Sequence, residues 1–310
     1  MKKITHMIII PLVLLVLLFA GNASAQQDAM YSQYMFNMMS VNPAYAGSRE
    51  LLSVTGLARA QWRGIEGAPT SQTLSIDGAL RNKKVGLGLN VFNDKIAITN
   101  NTGAYGVYAY RLRMRKSTLA MGMQLGIVQY RANLSQATLS QGSTSDDRAF
   151  QANVSTWIPS AGAGIYLSSD RYYIGASLPN LYSTQIGKES QVKVNKYDHL
   201  FAMAGYVISF NEDFKLKPSV LFKAVKGAPL EWDLNANFWM YDKLGLGLSY
   251  RTGDALVAMV EIQVANNFRV GYAYDYTLTA LQRYTTGSHE LLLRYEFGFT
   301  KDKILTPRYF

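Results

Sequence analysis

From Leu51 to Gly298 apolar and polar positions alternate with period two in short runs, so each run has one greasy face and one polar or small face. In 267–276, Phe268, Val270, Tyr272, Tyr274 and Tyr276 share a face, and Arg269, Gly271, Ala273 and Asp275 share the other. The division recurs in 230–240, where Leu230, Trp232, Leu234, Ala236, Phe238 and Met240 oppose Glu231, Asp233, Asn235 and Asn237. In 289–299, Leu291, Leu293, Tyr295, Phe297 and Phe299 oppose Glu290, Arg294, Glu296 and Gly298. Elsewhere the second face is mostly glycine: Gly86 and Gly88 between Val85, Leu87 and Leu89, and Gly245 and Gly247 between Leu244, Leu246 and Leu248. Glycine at such positions predicts close approach or strong curvature. Further runs at 51–61, 70–80, 102–113, 117–130, 160–168, 171–178, 199–210, 214–226 and 256–264 bring the count to about fourteen strands, within a range of twelve to sixteen.

The connections between these runs alternate in length. One set is two or three residues long: 81–83, 114–116, 169–170, 211–213, 241–242 and 265–266. The other set comprises 62–69, 94–101, 131–159, 179–198, 227–229, 252–255 and 277–288, five of which are long. An antiparallel, all-β, up-and-down transmembrane barrel has this signature, with short periplasmic turns and longer extracellular loops. A soluble sandwich has no reason to keep such parity. Runs of this length suit a tilted strand crossing a bilayer, and closure is required because open sheet edges do not survive in lipid.

Residues 1–25 are expected to be a cleaved signal peptide: Lys2 and Lys3 precede an apolar stretch from Met7 to Ala20, and Ala23-Ser24-Ala25 supplies small residues before Gln26. No cysteine occurs anywhere, so neither a lipid anchor nor a disulfide is available. Loss of the two leader lysines takes the 31 Lys and Arg to 29 against 21 Asp and Glu, a formal charge of +8. The basic residues are scattered singly and no RNA- or DNA-binding motif accompanies them, which argues against nucleic acid. Lipopolysaccharide phosphates or an acidic partner fit the excess better. The mature chain has only two histidines, His199 and His289, and no G-x-S-x-G. The expectation is a protein without catalytic activity, cofactor or metal.

Residues 26–50 are neither strand nor solvated linker. Tyr34, Met35, Phe36, Met38, Met39, Pro43 and Tyr45 need a surface to cover, either in the lumen as a plug or on a periplasmic partner. The tail 300–310, ending in Tyr309 and Phe310, is expected on the periplasmic side, as a docking element or as an assembly signal.

Here the residues carry a resemblance. Tyr31-Ser32-Gln33-Tyr34, Asn42-Pro43-Ala44-Tyr45-Ala46-Gly47, Gln61-Trp62 with Gly67-Ala68-Pro69-Thr70-Ser71-Gln72, and the closing Pro307-Arg308-Tyr309-Phe310 resemble the PorP/SprF family of type IX secretion membrane proteins. The resemblance implies an outer-membrane barrel of a Gram-negative bacterium that serves type IX secretion and gliding without catalysis. It implies delivery or anchoring of a large secreted adhesin through that cargo's C-terminal region. It further implies contact with the periplasmic ring or peptidoglycan-binding components of the machinery.

Candidate cargo contacts are the loop aromatics Trp62, Trp157 and Tyr182. Candidate lumen charges are Arg59, Asp77, Lys215, Lys217, Lys223, Glu231, Asp233, Arg251, Glu261, Arg269, Asp275, Arg294 and Glu296. Their mixed signs over many strands suit a cross-lumen ion-pair network that fills the bore. They also suit a polar channel, so an outer-membrane transport pore for a hydrophobic or small polar solute, like the fatty-acid transporters, is the competing expectation.

Overall fold

A computed structural model describes residues 30–136, 153–181, 198–225 and 228–298. The leader, Tyr182 and the tail with Tyr309 and Phe310 lie outside the described residues. The described chain forms a closed antiparallel barrel in which each strand pairs with its sequence neighbours. The strands are β1 (Leu52–Ala60), β2 (Thr70–Ala79), β3 (Val85–Ile96), β4 (Thr99–Arg113), β5 (Thr118–Ala132), β6 (Val154–Ser168), β7 (Tyr172–Leu178), β8 (His199–Tyr206), β9 (Ile208–Ser209), β10 (Phe214–Val225), β11 (Glu231–Met240), β12 (Leu244–Arg251), β13 (Ala255–Ala265), β14 (Phe268–Thr277) and β15 (Ser288–Phe297). β8 and β9 are one stave interrupted at Val207, and both pair with β10, which gives fourteen staves. Closure is made by β1 against β15, from Leu52 opposite Phe297 to Ala60 opposite His289.

The period-two faces sort as the alternation predicts. Leu234, Leu248, Tyr272, Leu291 and Leu293 are exposed on the outer surface, whereas Asp233, Arg251, Arg269, Asp275 and Arg294 are buried on the inner one. This inversion of the usual soluble pattern makes the outside apolar and the inside polar, as a lipid-embedded barrel requires. Among the described residues no helix is long and apolar enough to cross a membrane.

Three sequence expectations change. Residues 94–101 are not a loop: β3 and β4 stay paired up to Ile96 opposite Thr99. Likewise β5 and β6 pair up to Ala132 opposite Val154, which shortens the expected 131–159 loop and puts Trp157 in a strand opposite Gln129. The physical reason is common to both. Above the hydrocarbon the outer face no longer meets lipid, so Asn93, Asp94, Asn100 and Asn101 lose the alternation while the backbone ladder continues. The wall of β4, β5 and β6, fifteen residues each, therefore stands well above the eight-residue β12. Finally, the expected strand 199–210 is broken at Val207, which is buried and donates its N–H to the Arg171 carbonyl at 2.7 Å.

Candidate functional site

The lumen is filled by the chain's own N-terminal segment. From Tyr31 to Arg49 every residue except Ser40 is buried. The segment is built from three short 3₁₀ turns, Tyr34–Phe36, Met38–Ser40 and Pro43–Tyr45. Local sequence shapes the third turn. The Asn42 side-chain oxygen accepts from the Ala44 N–H at 2.9 Å, and Pro43 holds the first position. The other half of the same amide donates to the Ile165 carbonyl on β6 at 2.9 Å, so Asn42 both caps the turn and ties it to the wall.

Glycines of the inner face make room for this segment. A Cβ on Gly86 would collide with the Ala46 carbonyl, one on Gly122 with the Ala44 backbone, and one on Gly88 with the Met39 sulfur. Opposite, a Cβ on Gly271 would meet the Gln33 side chain. The apolar side chains of the turns meet the wall as well: Phe36 lies edge-on to Trp239 at 6.3 Å, and Tyr45 edge-on to Tyr166 at 5.5 Å.

Two charged clusters hold the ends. In the outer half, Arg59 pairs with Asp275 at 2.7 Å and with Glu290 at 3.1 Å, and Arg251 pairs with Asp233 at 3.0 Å. Ser32 and Gln33 enter that cluster. Both their backbone N–H groups donate to the Glu290 carboxylate at 2.8 Å, and the Ser32 hydroxyl donates to Asp275 at 2.7 Å while accepting from Arg59 at 2.8 Å. In the periplasmic half, Arg49 pairs with Glu296 at 2.6 Å, and the Gly47 N–H donates to Asp77 at 2.9 Å. Arg269 pairs with Glu261 at 3.3 Å, and Arg294 donates to the Phe36 carbonyl. Glu50 closes the lower mouth with Lys83 at 2.8 Å and with Arg113. Such buried pairs hold geometry because breaking one strands its partner's charge away from water.

A membrane barrel of this kind agrees with a comparison against protein families. The model for type IX secretion system membrane protein PorP/SprF matches residues 23–295. The chain belongs to the PorP/SprF family. Its barrel accordingly resides in the outer membrane. A comparison with curated proteins finds no match. Among solved structures, this PorP/SprF chain is similar to the outer membrane protein Omp33 of Acinetobacter baumannii, at 9% identity and TM-score 0.47, covering 80% of this chain and 98% of that one. It is also similar to the CymD monoaromatic hydrocarbon channel, at 13% identity and TM-score 0.46, covering 88% and 95%. The KdgM porin follows at 11% and 0.39, covering 79% and 99%.

The residues singled out from the sequence fall as follows in this PorP/SprF barrel. Tyr34, Met35, Phe36, Met38, Met39, Pro43 and Tyr45 all lie buried in the bore. Of the lumen charges, Arg59, Asp77, Lys217, Lys223, Asp233, Arg251, Glu261, Arg269, Asp275 and Arg294 are buried on the inner face. Lys215 sits lower, paired with Asp242 of a turn at 2.7 Å, while Glu231 pairs with Lys223 at 3.3 Å and Glu296 with Arg49. Trp62 and Trp157 are not brought together. Trp62 is half-buried in the connection after β1, at positive φ, and donates its backbone N–H to the Ser288 hydroxyl at 3.1 Å. Trp157 points outward from β6 with 59% of its surface exposed.

Sequence reasoning missed Glu290, Ser32, Gln33 and Arg49 as site residues. Glu290 had a signal, since it shares the inner face with Arg294 and Glu296. Gln33 and, in part, Ser32 act through backbone N–H groups, which leave no mark in a sequence.

Proposed function

We propose that this protein is a non-catalytic outer-membrane anchor of type IX secretion. It holds the C-terminal region of a large secreted adhesin at the cell surface and meets the periplasmic ring or peptidoglycan-binding components from below. The observation that carries this reading is the occupied bore. A solute transporter needs a continuous path, and here the path is taken by nineteen residues, 31–49, with charged contacts at both ends. Ion-paired lumen side chains then serve to fill and stiffen the barrel.

The extracellular connections are left as the cargo surface. Those after β1 and β14 brace each other: Arg63 donates its N–H to the Gly287 carbonyl at 2.9 Å and accepts from the Thr286 N–H at 2.8 Å. Trp62 stands at the root of this pair, and Tyr182 follows β7 in the sequence. Burial of Met35, Met38 and Met39 leaves the periplasmic contacts to the short turns and to the tail with Tyr309 and Phe310. The basic excess faces lipopolysaccharide phosphates.

Two measurements test the reading. Purified protein in planar bilayers is expected to show little steady conductance, and large stable pores defeat a filled anchor. Affinity purification from outer membranes is expected to recover a large secreted adhesin, and recovery of fatty acid alone favours transport.

A further inference from the structure

The path of the segment through the bore has a direction. Ser32 and Gln33 meet Glu290 near the start of β15, Asp275 near the end of β14 and Arg59 near the end of β1, all toward the extracellular connections. Gly47 and Glu50 meet Asp77 and Lys83 beside the periplasmic turn between β2 and β3. The chain therefore enters the lumen from its outer half and leaves by the periplasmic mouth. The upstream end, at Met30, is half-buried against the lumen core in that outer half.

The way the upper end is held is informative about what else fits there. Glu290 takes two consecutive backbone N–H groups, which any residue other than proline provides. Asp275 and Arg59 together read one small hydroxyl. Gly271 leaves the floor open beneath the next side chain. Backbone-directed hydrogen bonds, one small polar pocket and a flat glycine floor are the components of a peptide-binding seat.

We propose that the outer lumen around Arg59, Asp275 and Glu290 is a binding seat for a polypeptide turn carrying a small hydroxyl residue, reached from the cell surface and occupied at rest by residues 30–33 of the chain itself. The proposal deepens the adhesin-holding reading above by naming a seat for the captured chain. The resident segment is covalently tethered, so its effective concentration is on the order of millimolar, and a free peptide competes poorly until the tether's own grip is weakened.

That prediction gives the test. The full-length protein carrying Ser32→Ala and Gln33→Pro loses the hydroxyl and one of the two amide donors of its resident segment while Arg59, Asp275 and Glu290 stay intact. A synthetic fluorescent peptide of residues 30–40 is expected to bind this variant at least tenfold more tightly than the unmodified protein. The same peptide bearing both changes is expected to bind it at least tenfold more weakly. Equal binding by variant and unmodified protein, or by the two peptides, overturns the proposal. Heat-dependent gel mobility reports whether the variant barrel has folded. Should it not fold, the absence of native cysteine allows Met30→Cys alone to be probed on intact cells with a membrane-impermeant maleimide. Labelling without permeabilisation supports the threading, and labelling only after permeabilisation, or none, overturns it. The peptide is the chain's own, so failure here leaves adhesin recovery untouched, and failure to recover an adhesin leaves the seat intact.

Discussion

The inner face of Gly86 rests against the backbone carbonyl of Ala46, with no room between them for a methyl group. The plug therefore packs backbone to backbone on β3, where neither partner can swing aside. Overpacking of this kind typically costs about 1–3 kcal/mol and more when only backbone can yield. Gly86→Val is expected to lower the temperature at which the barrel loses its folded gel mobility and to raise conductance in planar bilayers. Gly88→Val is the matched control. It meets the Met39 sulfur, the far end of a flexible side chain, so its effect is expected to be smaller on both readouts.

The outer cluster should be far more sensitive than the charges at the periplasmic mouth. Arg59 and its partners Asp275 and Glu290 are buried to within a few per cent, whereas the Lys83 side chain paired with Glu50 is 48% exposed. Removing one member of a buried, hydrogen-bonded pair strands the other and costs about 3–5 kcal/mol. An exposed pair contributes about 0–1 kcal/mol. Arg59→Met is expected to destabilise the barrel strongly and Lys83→Met hardly at all, measured by thermal unfolding in detergent micelles.

The barrel was legible because lipid imposes a strict alternation: Phe268 to Tyr276 and Leu291 to Phe297 sort to one face without reference to anything distant. The polar strand ends were not, because polar residues on both faces at Asn93, Asp94, Asn100 and Asn101 remove the contrast on which the alternation depends. In the lumen, the identity of the charges could be read but their pairing could not. Arg59 is 216 positions from Asp275 and 231 from Glu290, and only closure of β1 on β15 brings them together. The apolar run from Tyr34 to Tyr45 announced that it needs a surface, and the flat glycine positions at Gly86 and Gly88 marked where a surface had room. The direction of threading was hidden, since it is fixed by backbone N–H groups at Ser32 and Gln33.

Asn42 offers a test of the plug that changes almost no volume. Asn42→Asp keeps an oxygen to accept from the Ala44 N–H, but replaces the N–H that meets the Ile165 carbonyl at 2.9 Å by a second oxygen. The residue is fully buried, so two acceptors would face each other away from water. Leaving a buried polar group unsatisfied costs about 1–3 kcal/mol, and more when the group is charged. The aspartate variant is expected to unfold at lower temperature than the wild type near neutral pH. Recovery of stability at a pH low enough to protonate Asp, which restores a donor, would mark the Ile165 contact as the cause.

The outward face supplies a depth gauge that also bears on Trp157. Its cross-strand neighbours in the same row are Gln129, Thr102 and Asn93, and Thr102 donates to the Asn93 side chain at 2.8 Å. A polar row of this kind lies above the hydrocarbon, and the next outward row down, with Val91, Ala104, Ile127 and Pro159, is apolar. Trp157 thus stands at the lipid–water boundary, where an amphipathic ring anchors a barrel. Leu125 sits in the middle of β5, opposite Ala161 and Gly106, and is 63% exposed to the bilayer. Arginine at the midplane of a barrel costs about 2–4 kcal/mol and near the interface about 0–1 kcal/mol. Leu125→Arg is therefore expected to destabilise the folded barrel in lipid vesicles by several kcal/mol, and Trp157→Arg only slightly. If Trp157→Arg nevertheless abolishes adhesin recovery while the barrel remains folded, the ring serves the cargo as well as the membrane boundary. Unchanged recovery confines it to the boundary and shifts the search for cargo contacts to Trp62 and Tyr182.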